Sequence, residues 1–444
     1  MMRGFPSLSQ RLFLGLYALL WTLLLPVVLL YLRRRARRDP LYGRFLNERF
    51  GRYANPLPGA VWVHAVSLGE MRSAVPLIRA LMAQGETIVT THFTPAGRRE
   101  AQTVFAEAIA AGKLRAVWVP FEFDWAYRGF FRAYRPKYGL VMETEVWPRM
   151  IASSRRHKVP LLMCNAQYTS KSYTFDRKWL PVRSLLMRGF AGMLVKSDLQ
   201  RQRFESVGVS NIAVTGELRF DQPIPQRLLD AGAAMRRWMG ADDRLVVTFA
   251  SVVQGEDALF IEALKASLAA HRDAGLPAPL FVYVPRAPER FGEVAGLLED
   301  AGLTVARRSV VLDAQLTPVG QAASVDVLLG DSTGEMYAYL AMADRVVVGG
   351  GFTPNGSHNI SEPLALGKVV MVGPDIHTIE YPAVEAIGAG VVRQLQTPAD
   401  LAKALLPDPG PLPSADSINT FFAEHSGAVA KTLAAIPRLL ATSR

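Results

Sequence analysis

The chain has almost no cysteine and lacks several common metal-binding and phosphate-loop motifs. Its 444 residues include a single cysteine, which excludes an internal disulfide and a multi-cysteine metal site. That residue, Cys164, lies in an apolar run and is expected to be buried in a core. No His-Glu-x-x-His, Gly-Lys-Ser/Thr or Asp-x-Asp pattern occurs. The absence of these motifs argues against P-loop kinases and metal-dependent sugar transferases. We therefore expect no metal and no cofactor.

The N-terminal region lacks charge over a long apolar stretch. Residues 12–32 contain no charged side chain, and about 20 apolar residues are enough for a helix to cross a bilayer. Arginines at 33–38 follow this stretch, which is the reverse of the order in a signal peptide. The positive-inside rule then places everything after Arg33 on the cytoplasmic side. We expect a single-pass anchor. A helix that lies in the membrane interface is the alternative, which Pro26 keeps open.

Acidic residues are outnumbered by basic ones, and the formal net charge is +11. The basic residues are not interleaved with stacking aromatics in a recognisable module, so we expect no nucleic-acid partner. The arginine cluster beside the apolar stretch instead predicts attraction to anionic membrane lipid. Half of the residues are hydrophobic and 20% are charged, a composition typical of globular proteins.

Short apolar strands alternate with amphipathic helical stretches, which is typical of an α/β fold with parallel sheets. A first series of predicted strands covers 60–66, 86–91, 115–119, 138–142, 161–165, 192–196 and 212–215. A second series covers 245–250, 280–284, 325–329, 346–348 and 369–372. Pro223 and Pro225 mark a linker between the two series, and 428–440 has the pattern of an amphipathic helix.

This pattern predicts two Rossmann-like domains that face a cleft, preceded by the membrane helix. The expected segments are an anchor with its basic cluster at 1–40, a first domain at 41–220, a second domain at 221–425 and a C-terminal helix at 426–444.

A carboxylate follows the first predicted strand. Glu70 stands at the start of a helix, and ligands of open α/β sheets bind at the carboxyl ends of strands. A helix N-terminus favours the ionised form, which suits a general base. The alternative is a carboxylate that only caps the helix.

Two further carboxylates flank Thr144 at the end of strand 138–142. We expect Glu143 to point into the cleft because it directly ends the strand, and Glu145 to cap the next helix.

Two arginines also follow strand ends, and together they predict an anionic ligand. Arg219 closes the first series, and Arg286 follows a strand of the second. His64 lies inside a strand and is expected to be structural, whereas His358 either donates to a phosphate or shapes its turn.

Two glycine-containing turns predict a nucleotide site in the second half. Glycines 349–351 follow one strand, and Gly330-Asp331-Ser332-Thr333-Gly334-Glu335 follows another. Glycine lets backbone amides approach a phosphate closely, and a following helix start adds a favourable dipole. Glu335 is suited to accept hydrogen bonds from ribose hydroxyls.

Six ordered motifs resemble those of the bacterial 3-deoxy-D-manno-octulosonic acid (Kdo) transferases of lipopolysaccharide assembly, over essentially the whole chain. They are HAVSLGE at 64–70, METEVWP at 142–148, GELRFD at 216–221, VPRAPERF at 284–291, GDSTGEM at 330–336 and HNISEP at 358–363. The chain departs from the usual family pattern at Val253 and Gln167, where a polar or cationic side chain is lost, and at Thr333 and Ser357. Arg219 replaces a lysine and keeps its charge.

The resemblance implies an inverting, metal-independent transferase of the GT-B type at the bacterial inner membrane. Its donor would be CMP-Kdo and its acceptor a lipid A precursor. By similarity, Glu70 is the general base, and Glu143 and Arg219 stabilise the transition state. The positions that match the CMP site are Pro285, Arg286, Thr333, Gly334, Glu335, Asn359, Ile360, Ser361 and Glu362.

Two other functions remain as alternatives from the sequence. One is a GT-B transferase that uses a UDP-sugar and a polyprenyl-linked acceptor. The other is a non-catalytic paralogue that binds a lipid A precursor. The presence of Glu70, Glu143, Arg219 and Arg286 argues against the second, because a scaffold has no need of all four.

Overall fold

A computed structural model describes residues 5–179, 181–320 and 324–442. The chain forms two compact units. One comprises residues up to Gln222 together with the segment from Gly427, and the other comprises Pro223–Ser426. Each unit is built around one parallel β-sheet with helices on both faces.

The N-terminal unit contains a seven-stranded sheet in the order β3-β2-β1-β4-β5-β6-β7. All of its strand pairs are parallel. Its elements are α1 (Leu8–Ala36), α2 (Leu46–Arg49), β1 (Val61–His64), α3 (Leu68–Ala83), β2 (Ile88–His92), α4 (Pro95–Val104), α5 (Ala106–Ala110), β3 (Leu114–Trp118), α6 (Asp124–Tyr134), β4 (Gly139–Met142), α7 (Pro148–Arg156), β5 (Leu161–Ala166), α8 (Ser170–Lys178), α9 (Pro181–Met187), β6 (Gly192–Val195), α10 (Asp198–Ser206) and β7 (Ile212–Val214).

The C-terminal unit contains a second seven-stranded parallel sheet in the order β10-β11-β9-β8-β12-β13-β14. Its elements are α11 (Gln226–Trp238), β8 (Val246–Val252), α12 (Asp257–Asp273), β9 (Leu280–Pro285), α13 (Phe291–Asp300), β10 (Val305–Arg307), α14 (Arg308–Val311), β11 (Val327–Leu329), α15 (Met336–Met342), β12 (Arg345–Val348), α16 (Ser361–Ala365), β13 (Val369–Val372), α17 (Glu380–Gly388), β14 (Val392–Gln394), α18 (Pro398–Ala404) and α19 (Ala415–His425). The last helix, α20 (Ala428–Thr442), returns to the N-terminal unit.

The predicted α/β architecture is confirmed, and twelve of the fourteen strands lie where the apolar runs placed them. Strands such as β1, β4 and β5 are buried on both faces, as expected for parallel strands covered by helices. The sequence missed β10 and β14. Each is three residues long, lies at a sheet edge and carries an arginine, so neither shows a continuous apolar run.

The predicted C-terminal helix is confirmed as α20, which packs into the N-terminal core through Ala428, Ile436 and Leu439. Its first turn is held by Asp221, whose carboxylate accepts the backbone N–H groups of Gly427 (2.7 Å) and Val429 (2.6 Å). Because α20 fills part of this core, the N-terminal unit is complete only when the chain has returned to it.

The predicted N-terminal helix is confirmed as α1, which is long and apolar enough to span a membrane. It begins at an N-cap, Ser7, and ends in the arginine cluster.

Candidate active site

Glu70 lies at the carboxyl end of β1, in the first turn of α3. One of its carboxylate oxygens accepts the backbone N–H of Val66 at 2.7 Å, and the other accepts the hydroxyl of Ser67 at 2.9 Å. Ser67 is the N-cap of α3, since its hydroxyl oxygen accepts the backbone N–H of Glu70, while the Glu70 side chain is partly open to solvent. The contacts with Val66 and Ser67 hold both oxygens at the edge of the sheet where the sequence predicted a base.

A helix N-terminus favours the ionised form of Glu70, but it does not by itself set the pKa of this side chain. Burial, followed by the like charge of Glu145, raises the pKa of Glu70 to about 7. These two effects outweigh the hydrogen bonds from Val66 and Ser67, which act in the opposite direction. A carboxylate with this pKa is divided between its two protonation states at neutral pH, which suits a group that accepts a proton.

Glu143 directly follows β4 and lies in a network of buried polar side chains. Its carboxylate accepts hydrogen bonds from Asn165 Nδ2 at 2.8 Å and from the ammonium of Lys196 at 2.9 Å. Its backbone is left-handed, with φ of 54°, a conformation that costs about 1 kcal/mol or more outside glycine. The strand end is thus held in an unfavourable conformation that places Glu143 against Lys196.

Lys196 was not predicted as a site residue, although it ends the predicted strand 192–196. Its ammonium is buried between Glu143 and Glu217, 2.8 Å from the latter, and lies 3.2 Å from Gln167 Oε1. Burial acts against its charged form, but Glu143 and Glu217 together outweigh burial and raise the pKa of Lys196. The rule that pointed to Glu70, a polar side chain at a strand end, would have identified this residue too.

The prediction that Glu145 caps the next helix is wrong. Its carboxylate accepts the indole N–H of Trp147 at 2.5 Å. The first turn of α7 is capped by Glu122 instead. This fully buried carboxylate accepts the backbone N–H groups of Arg149 (2.8 Å) and Met150 (3.2 Å). Glu122 is distant in sequence from α7, so no local pattern indicated this cap.

Arg219 lies in the 3-10 turn Leu218–Asp221 that follows β7. Its Nε donates to the hydroxyl of Ser73 at 2.8 Å, on α3. Its guanidinium reaches the neighbourhood of Gly69, where a Cβ would meet Nη2 at 3.9 Å. The structure thus gathers Glu70, Glu143 and Arg219 at one edge of the N-terminal sheet, each after a different strand.

His64 and Cys164 are structural, as predicted. His64 is buried in β1 and hydrogen-bonded through Nδ1 to the hydroxyl of Thr91 at 2.8 Å, and burial lowers its pKa to about 3. Cys164 is buried in β5, and burial raises its pKa to about 12.

In the C-terminal unit, backbone N–H groups of the glycine loop after β12 are already hydrogen-bonded to a side-chain carboxylate, that of Glu256. The carboxylate of Glu256 accepts the backbone N–H of Gly350 at 2.7 Å and of Phe352 at 3.1 Å. The loop is tightly closed, because a Cβ on Gly350 would lie 2.2 Å from the carbonyl oxygen of Gly356. The expectation that these amides are free to bind a phosphate is therefore wrong at Gly350 and Phe352.

Glu335 is likewise engaged within the protein. Its two oxygens accept the guanidinium of Arg308 at 2.6 and 2.8 Å, and it also accepts the hydroxyls of Ser332 and Tyr339. The turn 330–334 matches the Gly-x-Ser-x-Gly pattern of serine hydrolases. Its serine, Ser332, donates its hydroxyl hydrogen to the carboxylate of Glu335. Thr333 and Gly334, by contrast, are exposed beside it.

The remaining predicted positions lie at the carboxyl ends of β9 and β12. The side chain of Arg286 is exposed at the end of β9. Burial, followed by the charge of Arg286, lowers the pKa of His358 to about 4. Nε2 of His358 is buried and has no hydrogen-bond partner among the described residues. Asn359 Oδ1 accepts the N–H of Ser361 at 3.0 Å and so caps α16.

The other three positions are Pro285, Ile360 and Glu362. Pro285 is buried at the end of β9, and Ile360 is fully buried. Glu362 stands in the first turn of α16 and is partly exposed. The C-terminal unit thus presents a cation and a helix start at the carboxyl edge of its sheet, which is suited to an anionic group.

Comparison with known proteins agrees with this arrangement. The sequence profile of the family described as 3-deoxy-D-manno-octulosonic-acid transferase (kdotransferase) matches residues 44–222. The chain is 39% identical to the 3-deoxy-D-manno-octulosonic acid transferase of Bordetella pertussis, over 95% of this chain and 98% of the relative. It is 28% identical to the enzyme of that name from Haemophilus influenzae, over 81% of each.

Solved structures with low sequence identity show the fold. HepE from Anabaena in complex with UDP has a TM-score of 0.56 at 12% identity, with 86% of this chain and 99% of that chain covered. A glycosyltransferase from Rickettsia africae has a TM-score of 0.54 at 9% identity, over 86% and 99%. The two-domain fold is of the GT-B type. With an extensive likeness to the Bordetella enzyme and a carboxylate at each expected strand end, the chain belongs to the 3-deoxy-D-manno-octulosonic acid transferase family.

Proposed function

We propose that the protein transfers Kdo from CMP-Kdo to a lipid A precursor in lipopolysaccharide assembly. The observation that carries this proposal is the 39% identity to the Bordetella pertussis transferase over nearly the full length of both chains. The three expected catalytic side chains gather at one sheet edge, which supports a working enzyme rather than a binding paralogue.

Glu70 is the proposed general base. It takes the proton from the acceptor hydroxyl as that oxygen attacks the anomeric carbon of Kdo. The bond from this carbon to the phosphate oxygen breaks, and CMP leaves with the electron pair. A single displacement of this kind inverts the anomeric configuration. The pKa of about 7 supports the role, because a base with this value is both available and effective at neutral pH.

Glu143 and Arg219 are the proposed stabilisers of the transition state. The contact of Arg219 with Ser73 orients its guanidinium toward α3, the helix that begins beside Glu70. Glu143 is held against the ammonium of Lys196, so its charge is fixed in position before the substrate arrives. Preorganised charges of this kind replace the metal that other sugar transferases use.

The proposed CMP site is formed by Pro285, Arg286, Thr333, Gly334, Glu335, Asn359, Ile360, Ser361 and Glu362. The exposed Arg286 supplies the positive charge that a phosphate requires. Because the oxygens of Glu335 are paired with Arg308, its proposed role is to hold the turn that carries Thr333 and Gly334, rather than to bind ribose directly.

The proposed location is the cytoplasmic face of the bacterial inner membrane, where a lipid acceptor is presented. Attachment is through α1 and the arginines that follow it, which are attracted to anionic lipid.

The first prediction concerns Glu70→Gln. This variant keeps the shape of the side chain but removes the base, so we expect transfer to fall by at least about a thousandfold while CMP binding is unchanged. Product formation from CMP-Kdo and a lipid A precursor is measured by mass spectrometry, and CMP binding by calorimetry.

Glu107→Gln is the matched control, because Glu107 is an exposed residue of α5 outside the site. Full transfer by Glu70→Gln would discard the mechanism. Inhibition by UDP but not by CMP would instead favour a transferase for UDP-sugars, and lipid binding without turnover in the wild-type protein would favour a scaffold.

A further inference from the structure

One face of α1 is docked on the N-terminal unit along nearly the whole helix. Near its start, Gln10 is buried and donates through Nε2 to the carbonyl oxygen of Leu185 in α9 at 3.2 Å. Farther along, the guanidinium of Arg149 donates to the carbonyl oxygen of Leu14 at 2.6 Å. The same guanidinium is paired with Asp124, so this contact ties α1 to two helices of the catalytic body.

The second half of the helix packs on an aromatic cluster of the same unit. The ring of Trp21 lies 5.9 Å from that of Phe121 and 6.1 Å from that of Phe123. Leu32 is 4% exposed and is part of the core formed with these two rings. Contacts thus extend from residue 10 to residue 32, about 33 Å of helix at 1.5 Å per residue.

This docked length equals the thickness of the hydrocarbon core of a bilayer, which is about 30 Å. If α1 crossed the membrane in this arrangement, Arg149, Asp124 and the aromatic cluster would also lie at membrane depth. If α1 separated from the unit in order to cross, Trp21, Leu32, Phe121 and Phe123 would lose their apolar partners. The first arrangement would bury charged side chains of the N-terminal unit in the membrane. The second would expose apolar side chains of that unit to water.

The opposite face of α1 is apolar and uncovered. Its residues are 44% to 76% exposed and follow a helical spacing of three or four; they are Leu8, Leu12, Leu16, Leu19, Leu20, Leu23, Leu24, Val27 and Leu30. Soluble proteins rarely expose a continuous apolar surface of this size. Arginines flank this outer face at both ends, Arg11 at one and the cluster 33–38 at the other, which matches lipid with anionic head groups.

We infer that α1 does not span the membrane but lies in its plane, with the outer face inserted among lipid acyl chains and the catalytic unit attached along the inner face. The inference rests on the membrane attachment proposed above. It assigns the lipid bilayer as the partner of the outer face, and both ends of α1 to the cytoplasmic side.

The test uses single cysteines in the full-length protein. Cys164 is buried, so an introduced cysteine is the only reactive thiol. Ser9→Cys and Arg37→Cys place one thiol at each end of α1, and Ala274→Cys is a control in the exposed part of the C-terminal unit. Spheroplasts and inverted vesicles are treated with a membrane-impermeant maleimide. We expect all three to be unlabelled from outside and labelled in inverted vesicles.

Labelling of Ser9→Cys from the outside would show a spanning helix and overturn the inference. It would leave the transferase proposal intact, since the readout does not depend on activity.

A second measurement tests the depth of the helix directly. Leu12→Cys, Leu20→Cys and Val27→Cys carry a fluorophore in purified protein on vesicles of phosphatidylglycerol and phosphatidylethanolamine. Quenchers are placed at known depths on lipid chains. We expect one shallow depth at all three positions. A maximum depth at Leu20→Cys would indicate spanning. Absence of quenching together with a dimeric protein would show that a second copy covers this face. Both of these results, the spanning profile and the dimer, would contradict the inference.

Discussion

At the scale of single residues, the site depends on how burial changes the chemistry of ordinary side chains. Glu70 follows the N-cap Ser67 of α3 and has a raised pKa, which is compatible with the proposed role of general base. Its raised pKa follows from burial and from a neighbouring carboxylate, neither of which is visible in the HAVSLGE motif.

The pH dependence of transfer follows from this pKa. Because the base acts in its ionised form, we expect log kcat/KM to rise with a slope near one below pH 7 and to level above it. Glu145→Gln removes the like charge that helps to raise the pKa of Glu70, so this limb should move to lower pH. An unchanged or upward-shifted limb in Glu145→Gln would contradict the assignment of Glu70 as the titrating base.

Lys196 places a buried positive charge among polar side chains of the N-terminal unit, and the sequence analysis did not predict it. The structure brings the ammonium of Lys196, which follows β6, to 3.2 Å from the side-chain oxygen of Gln167, which follows β5. A cation from a neighbouring strand therefore lies beside Gln167.

Replacement of this lysine leaves two carboxylates without their shared cation. We expect Lys196→Met to destabilise the protein by about 3 kcal/mol, since it leaves buried charges unpaired, and to reduce kcat because Glu143 loses its fixed position. Urea unfolding and steady-state rates are the measurements. Lys113→Met is the control, because Lys113 is exposed; equal behaviour of the two variants would contradict this role.

At the scale of secondary-structure elements, carboxylates from distant positions hold the starts of helices and loops. Glu122 caps α7, Glu256 holds the glycine loop after β12, and Asp221 caps α20. In each case the anion meets backbone N–H groups that would otherwise have no partner. These carboxylates stabilise the elements that end in the site, without being part of it.

The cap of α7 can be tested separately from catalysis. Glu122→Ala removes the acceptor of two buried N–H groups, so we expect a loss of about 2 kcal/mol in the free energy of unfolding. The exposed Glu107→Ala, also in the N-terminal unit, should change this quantity by less than about 0.5 kcal/mol. Stability in Glu122→Ala equal to that of the control would show that the cap is dispensable.

At the scale of the whole molecule, the chain leaves the N-terminal unit at Gln222 and returns to it at Gly427. The returning helix contributes Ile436 and Leu439 to a core that is otherwise made by β1, α3 and their neighbours. The carbonyl oxygen of Leu439 also accepts a hydrogen bond from Asn211 at 2.9 Å. The two ends of the chain therefore stabilise one unit.

A truncated protein tests this closure. A chain that ends at Ser426 loses α20 and exposes the apolar surface beneath it, so we expect lower thermal stability and rapid proteolysis within residues 60–222. Asp221→Asn, which weakens only the cap of α20, should have the same effect to a smaller extent. Proteolysis of the truncated chain at the wild-type rate would contradict the contribution of α20.

Much of this protein could be predicted from local sequence patterns. Most strands were visible because burial on both faces leaves a continuous apolar run, whereas β10 and β14 are short edge strands that carry an arginine and have no such run. Glu70, Glu143 and Arg219 were found because each follows a strand, and parallel strands end at a common edge. The nine positions of the CMP site came from resemblance and stay a prediction.

The sequence by itself determined the two α/β units, the strand ends that carry polar side chains, the apolar N-terminal helix and the family. Only the tertiary structure decided which charges meet: Lys196 with Glu143, Glu256 with the glycine loop, and Arg149 with α1. The physical reason is that periodicity is a property of neighbouring residues, whereas charge pairing, burial and pKa depend on elements that are distant in the chain. For the same reason, hydropathy indicated that α1 meets a membrane, and its packing on the N-terminal unit indicated that it lies along it.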